Sequence, residues 1–375
     1  MIFLSLYIYF VRMLSKKLIN LINKNIDLIS TSREIPSELQ DELLNEKLFR
    51  LLLPKTYGGL EVDFINYLDI IFELASYDAS IAWCINQSNV LATNSAFMNK
   101  SLAKKIFDNP KSMISNGPPE NFNITNTNGG IIISGKWLFS SGIKNCNWVL
   151  AIFTDDNKEN KNIIIPVEEV KVEDIWNVNG LRGTGSFSFS LKDKFIPDEN
   201  IFFDRKNLNE KGPLYKIPRD LKFASGFSTI AISLANSAIQ YSIDFSKNKK
   251  KSMDTLSKEQ IFIREIGMTK ALYKSSKYFL DIAVDKVWKN CCKGNVLMDD
   301  ELAELRLAST HAIRTSEEII KKLYSLLGSS SIFKFNDIQR HFQDIMAISQ
   351  QIQGRMSHYE TVGDYYINSK LKKII

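Results

Sequence analysis

The spacing of hydrophobic positions changes twice along the chain. Over 14–109 they recur every three or four residues, with Leu18, Leu21, Ile22 and Ile26 on one face, which predicts helices. Pro36-Ser-Glu-Leu-Gln-Asp-Glu opens a second helix and places acidic residues in the first turn, where the helix dipole favours them. Leu53-Pro-Lys-Thr-Tyr-Gly-Gly59 interrupts as a turn, and helical spacing returns over 64–76 and 81–98. Over 111–205 short β-rich runs alternate with Gly, Asn and Asp; 131–137, 148–153, 163–167 and 187–191 read as strands of an all-β insert, a small barrel or sandwich. From 218 onward long helical patterns cover 223–246, 258–288, 300–327 and 336–353, and four such helices predict an antiparallel bundle. The expected fold class is α+β, with an N-terminal helical domain over 13–110, a β domain over 111–210 and a C-terminal helical bundle over 215–375.

The stretch from Met1 to Val11 is almost entirely apolar, but it lacks the basic start of a secretory signal. Arg12 interrupts it well short of the ~20 apolar residues a membrane span needs. Met13 then opens an amphipathic pattern, so 1–12 reads as upstream translation or a loose tail. With no long apolar run elsewhere, a soluble cytoplasmic protein with no membrane partner is expected.

Composition narrows the chemistry. Four Cys in 375 residues make no disulfide framework, so Cys84, Cys146, Cys291 and Cys292 are expected as free thiols, the last two at a helix end. Three His and no C-x-x-C pair leave no structural zinc site of the usual kind. A borrowed cofactor is the natural alternative. The net charge of +6 is mild, and the basic run Lys247-Asn-Lys-Lys-Lys251 has no interleaved aromatics; it reads as a solvated loop, and no nucleic-acid partner is expected.

Five segments in order carry a resemblance. They are Leu53-Pro-Lys-Thr-Tyr-Gly-Gly-Leu-Glu61, Asp78-Ala-Ser-Ile-Ala-Trp83, Gly135-Lys-Trp-Leu-Phe-Ser-Ser-Gly142, Trp176 through Gly180-Leu-Arg-Gly-Thr-Gly-Ser186, and Arg340-His-Phe-Gln-Asp344. Together they resemble the signatures of the acyl-CoA dehydrogenase superfamily. With Tyr359-Glu-Thr-Val-Gly363 they look most like its two-component flavin-dependent monooxygenases. That resemblance implies reduced FMN or FAD delivered by a separate flavin reductase, a small-molecule substrate and a homotetramer.

The resemblance also implies site residues. Ser140 falls where relatives place a hydroxyl near flavin N5; otherwise it belongs to a Ser-Ser-Gly turn. Trp137 and Phe139 either wall the flavin slot or belong to the β core. Ser115 lies at the strand end that approaches flavin and substrate in relatives, or is an ordinary strand-exit serine. Arg182, Thr184 and Ser186 lie in a Gly-rich turn able to cradle a phosphate or the flavin edge, or to be a plain β-turn. Apart from the resemblance, the spacing of Asn86 and Asn89 puts them on one helix face, where they either line a polar substrate pocket or face water.

Two departures stand out. Where the monooxygenase branch has a His seven residues after the Asp, this chain has Gln351, beside Gln350, and an amide cannot act as a base. Gln351 is therefore a substrate-side candidate, and no catalytic base is assigned. Where dehydrogenase relatives carry an Arg on the FAD pyrophosphate, Lys249 stands, with Ser252-Met253 in place of Phe-Gly, which favours transient flavin over tightly held FAD. The first expectation is thus a monooxygenase that hydroxylates or N-oxygenates a small molecule. The alternatives are an acyl thioester dehydrogenase with bound FAD, and a degenerate, non-catalytic binding protein.

Overall fold

A computed structural model describes residues 14–155, 159–203, 208–248, 250–251 and 254–371. The expectations for 1–12, Met13, Lys249 and Ser252-Met253 lie outside the described residues. Five helices lead the chain: α1 Lys16–Ser32, α2 Ser37–Asn45, α3 Phe64–Tyr77, α4 Ala79–Ala92 and α5 Lys100–Phe107. Side-chain caps start four of them, including α5, where Asn99 accepts from Ser101 N. Ser15 accepts from Leu18 N, Asp63 from Ile65 N and Asn66 N, and Asp78 from Ile81 N.

The central element is α4. All fourteen of its residues are buried, so it has no water-facing side. Its amides are held by the protein instead. Asn89 donates to Leu48 O at 2.7 Å and Ile85 O at 2.9 Å, and accepts from Leu52 N at 3.0 Å. The side chain is fully committed and ties α4 to the turn before Leu53; it does not line a substrate pocket. Removing it leaves a buried N–H and carbonyl unpaired, so Asn89→Ala is expected to lower unfolding free energy by about 3 kcal/mol. A urea transition shifted by less than about 1 kcal/mol would contradict that reading.

Eight strands follow: β1 Ile114–Gly117, β2 Pro119–Thr127, β3 Gly130–Ser140, β4 Trp148–Thr154, β5 Asn160–Pro166, β6 Lys171–Glu173, β7 Phe187–Pro197 and β8 Ile201–Phe203. They form two four-stranded sheets, β1-β4-β5-β8 and β2-β3-β7-β6, so the domain is a sandwich and not a closed barrel. Only β1 and β4 run parallel among these pairs. Ile131, Ile133, Trp137, Val149, Phe153, Ile163, Ile165, Phe187 and Phe189 fill the space between the sheets.

The C-terminal part holds α6 Arg219–Asn248, α7 Gln260–Cys292, α8 Asp299–Leu326, α9 Asp337–Gln350 and α10 Ser357–Asn368. α6 packs on α3 and α4 on one side and on α7, α8 and α9 on the other, so it joins bundle to N-terminal helices. Gly226 makes that approach possible, since a Cβ there would come within 1.9 Å of Asn86 Oδ1. Cys84, Cys146 and Cys291 are buried free thiols, and Cys292 is an exposed one at the end of α7. No helix among the described residues is long and apolar enough to cross a membrane.

Candidate functional site

The end of β3 is irregular. Trp137 pairs with Phe189 and Ser140 with Phe187, so β3 carries one extra residue, a bulge. Phe139 absorbs it at φ +57°, a conformation bulky residues rarely adopt. The result is an outward-facing ring, 52% exposed, edge-on to Trp176 with centroids 6.3 Å apart. Trp137 goes the other way. It is fully buried, stacked on Phe189 at 5.2 Å, and its Nε1 donates to Ile152 O. Trp137 is core, and Phe139 is the ring turned outward.

Behind this ring runs a chain of hydroxyls. Trp83 Nε1 donates to Ser141 Oγ at 3.1 Å, Ser141 and Ser186 share a hydrogen bond of 2.8 Å, and Ser186 and Thr184 share one of 2.7 Å. Thr184 in turn donates to Leu181 O, and Ser115 Oγ donates to Ser141 O at 2.8 Å. Ser140 is the exception: fully buried, its Oγ has no partner. A buried hydroxyl without a partner is costly and is expected where a ligand completes it. Gly117 covers it from β1; a Cβ there would sit 1.8 Å from Leu138 O and 2.9 Å from Ser140 Oγ.

The structure therefore brings Ser115, Ser140, Thr184 and Ser186 together at the junction of the β sandwich and α4. Arg182 does not join them as an anion ligand. Its Nε donates to Ser30 O at 2.9 Å and its Nη1 to Val178 O at 2.7 Å, which fastens α1 to the turn. Asn86 is sealed at the α4–α6 contact, accepting from Tyr67 Oη at 2.8 Å, with its Nδ2 unpartnered. Sequence reasoning missed Ser141, whose signal was only the doubled serine, and the aromatic stack of Trp83 on Phe227 (3.8 Å) and Phe227 on Phe223 (5.7 Å).

Gln351 lies just past α9, in a loop that packs on α6 and α8. Its surroundings hold no ordinary base. His358 is buried, its Nε2 donates to Ile352 O at 2.8 Å, and burial together with Arg306 pushes it down to about 4. His341 is pushed down to about 3 by burial and by Arg340. Asp344 is pushed up to about 7 by burial and by Asp78, but lies seven residues back, where it accepts from Leu181 N at 2.6 Å. Among the described residues no cluster of three His, Cys, Asp or Glu side chains is placed to hold a metal ion.

Two family models match the chain: acyl-CoA dehydrogenase, N-terminal domain, over 10–106, and acyl-CoA dehydrogenase, C-terminal domain, over 225–353. The chain is 23% identical over 328 residues to indole-3-acetate monooxygenase of Acinetobacter baumannii, covering 84% of this chain and 83% of that protein. It is 25% identical over 342 residues to the oxygenase subunit of a flavin-dependent monooxygenase, HsaA, of Rhodococcus jostii, covering 84% and 87%. Among solved structures, a 3-HSA hydroxylase from Rhodococcus superposes with a TM-score of 0.88 at 20% identity, covering 95% and 96% of the two chains. XiaF of Streptomyces, solved with FADH2 and glycerol, gives 0.86 at 19% identity, covering 96% and 94%.

Proposed function

This chain belongs to the acyl-CoA dehydrogenase family, and on that premise we propose that it is the oxygenase component of a two-component flavin-dependent monooxygenase. The reaction is substrate plus O2 plus reduced flavin, giving oxygenated substrate, water and oxidised flavin. A separate flavin reductase supplies the reduced flavin. The relatives that share over four-fifths of the chain are monooxygenases by name, which supports this reading. The observation that carries the choice against thioester oxidation is Gln351, an amide where removal of an α-proton needs a carboxylate.

The residues present fit a flavin. Phe139 and Trp176 offer an apolar wall, and Ser140 offers a buried hydroxyl that lacks a partner. When bound, reduced flavin supplies two electrons and the site at which O2 is activated. The chain's own share is positional. Phe139 is held outward by the bulge, the hydroxyl chain fixes the 184–186 turn behind it, and the Trp83–Phe227–Phe223 stack excludes water from the α4–α6 side. We assign Ser140, with Ser115, Thr184 and Ser186 in support, to the flavin side, and Gln351 to the substrate side. The exposed Ile261, Ile263, Tyr278 and Ile282 of α7 support assembly of several copies, a homotetramer in this reading.

Anaerobic titration with reduced and oxidised FMN and FAD tests the proposal. Saturable binding of a reduced flavin, at least tenfold tighter than its oxidised form, is expected. Binding of neither redox state, or FAD that survives purification and bleaches with an acyl thioester, would sink it. Phe139→Gly sharpens the test. The strained φ suits glycine, so thermal stability should hold or rise slightly, while reduced-flavin affinity drops about tenfold with the lost ring contact. A stability loss with unchanged flavin affinity would place Phe139 in the fold alone.

A further inference from the structure

The loop after α9 turns an amide donor outward. Gln351 Oε1 accepts from Gln353 N at 2.7 Å. A backbone N–H can only donate, so the amide orientation is settled, with Oε1 turned inward and Nε2 outward. No described residue accepts from that Nε2, and the side chain is half-buried.

Each neighbouring carbonyl already accepts a hydrogen bond from the protein. Gln351 O accepts from Gly354 N at 2.9 Å, and Ile352 O from His358 Nε2. Gln353 O accepts from Thr310 Oγ1 at 3.4 Å, and Gly354 O from Arg314 Nε at 2.6 Å. Arg306, fully buried on α8, donates from Nη1 to Gln353 Oε1, while its Nε and Nη2 have no partner. Side chains from α8 and α10 thus clamp the loop, and Gln351 cannot swing to offer its oxygen without uncapping Gln353. Titratable groups nearby are no better as bases. His358 is buried with its Nε2 on Ile352 O and is made a weak base by burial and Arg306, Glu317 is engaged by Arg314 and Lys321, Glu360 is turned to solvent on α10, and Asp344 is covered by Leu181.

We propose that Gln351 is a specificity-determining residue that donates a hydrogen bond to an acceptor oxygen of the substrate, and that the substrate's reacting atom is a neutral amine nitrogen or thioether sulfur. The proposal rests on the monooxygenase reading and narrows it. The step balances without a base: a tertiary amine, O2 and reduced flavin give the amine N-oxide, water and oxidised flavin. The nitrogen lone pair forms the new N–O bond, the second oxygen atom leaves as water with the two hydrogens of the reduced flavin, and no proton is taken from the substrate. A phenol is different, because its ring is activated by losing the hydroxyl proton, and nothing along this loop accepts one.

The experiment uses the full chain with reduced FMN or FAD and a pool of matched aromatic tertiary amines, thioethers and phenols, each with and without a carboxylate or ketone. Products heavier by one oxygen are read by mass. Amines or thioethers bearing the acceptor oxygen are expected among the products, phenols are not. Gln351→Glu keeps an oxygen to cap Gln353 N but exchanges the donor for an ionised acceptor oxygen, so Gln351→Met, which removes the donor without adding charge, is measured beside it. Both should lower kcat/KM for those compounds by at least about tenfold, mainly through KM, with reduced-flavin affinity unchanged. Preferential oxygenation of phenols, equal turnover by either variant, or reduced-flavin binding and O2 consumption with no oxygenated amine or thioether would each overturn the assignment. Failure of flavin binding itself would instead remove the monooxygenase reading on which it stands.

Discussion

Gly117→Ala is expected to lower the unfolding free energy by about 3 kcal/mol and to abolish measurable binding of reduced flavin. The added methyl would sit 1.8 Å from Leu138 O and 2.9 Å from Ser140 Oγ. Neither neighbour can yield easily. Leu138 is in the β3 bulge, and its N–H is already bonded at 2.9 Å to the carbonyl of Pro118, the residue just after β1, so the end of β1 and the bulge are held together at this point. Overpacking against backbone forces a shift of one strand, and the strand that moves carries Phe139 and Ser140. A control isolates the steric cause. Gly267, inside α7, would place a methyl with nothing within 4 Å, so the same substitution there should stabilise by about 1 kcal/mol through helix propensity and leave flavin binding intact. Chemical denaturation and flavin titration of both variants decide the matter. If Gly117→Ala binds reduced flavin like the parent, Gly117 does not shape the site.

The same bulge explains why part of the site was illegible in the chain. Strand alternation puts Trp137 and Phe139 on one face, so both read as core or both as wall. One extra residue reverses the face beyond it, sending Trp137 inward and Phe139 outward. No residue type in Trp137-Leu-Phe-Ser-Ser141 marks the bulge, because the glycine that permits it, Gly117, comes from another strand. The order of helices, strands and bundle was legible because each segment keeps its hydrophobic period for many residues. α4 shows the limit of that signal. Its polar amides suggest a water-facing or pocket-lining side, yet Asn89 serves buried backbone groups of a distant turn. Arg182 misled for a similar reason, since its partners, Ser30 O and Val178 O, are carbonyls that sequence cannot locate.

The end of α9 is a third case. Helical spacing runs to 353, but the helix stops at Gln350 and Gln351 is extended, with φ −71° and ψ 154°. The side chain of Gln351 replaces the next helical bond by capping Gln353 N. Counting seven residues from Asp344 reaches Gln351 but says nothing of where its side chain points, which the cap on Gln353 N decides. What the position can do depends on the clamp from Thr310, Arg314 and His358, residues that no motif joins to it.

Asp344 should make the fold less stable as the medium becomes more alkaline. Burial and the nearby Asp78 carboxylate hold its carboxyl up to about 7, against the pull of Leu181 N–H and Arg340. Asp78 is raised in the same direction by burial, and Arg340 reaches it only at 4.0 Å. Between about pH 4, where an unfolded Asp ionises, and pH 7, the folded chain keeps a proton that the unfolded chain has released. Stability contributed by the neutral form is therefore full below about pH 4 and declines up to about pH 7. Groups held low by lysine or arginine, such as Glu173 and Glu265, act in the opposite sense, but below their ordinary range. Asp344→Asn retains an oxygen for Leu181 N and cannot ionise. Its stability relative to the parent should rise by a few kcal/mol between about pH 5 and pH 8, at ~1.4 kcal/mol per pKa unit. Equal urea midpoints for the two proteins at both pH values would show that Asp344 ionises normally. The contact at stake joins α9 to the 180–186 turn, where Gly180 sits close enough that a Cβ would fall 1.9 Å from Gln343 O. Ionising Asp344 thus loads the seam between the 180–186 turn and the helix that leads to Gln351; if that turn holds flavin as proposed, flavin affinity of the parent should weaken over the same pH interval and that of Asp344→Asn should not.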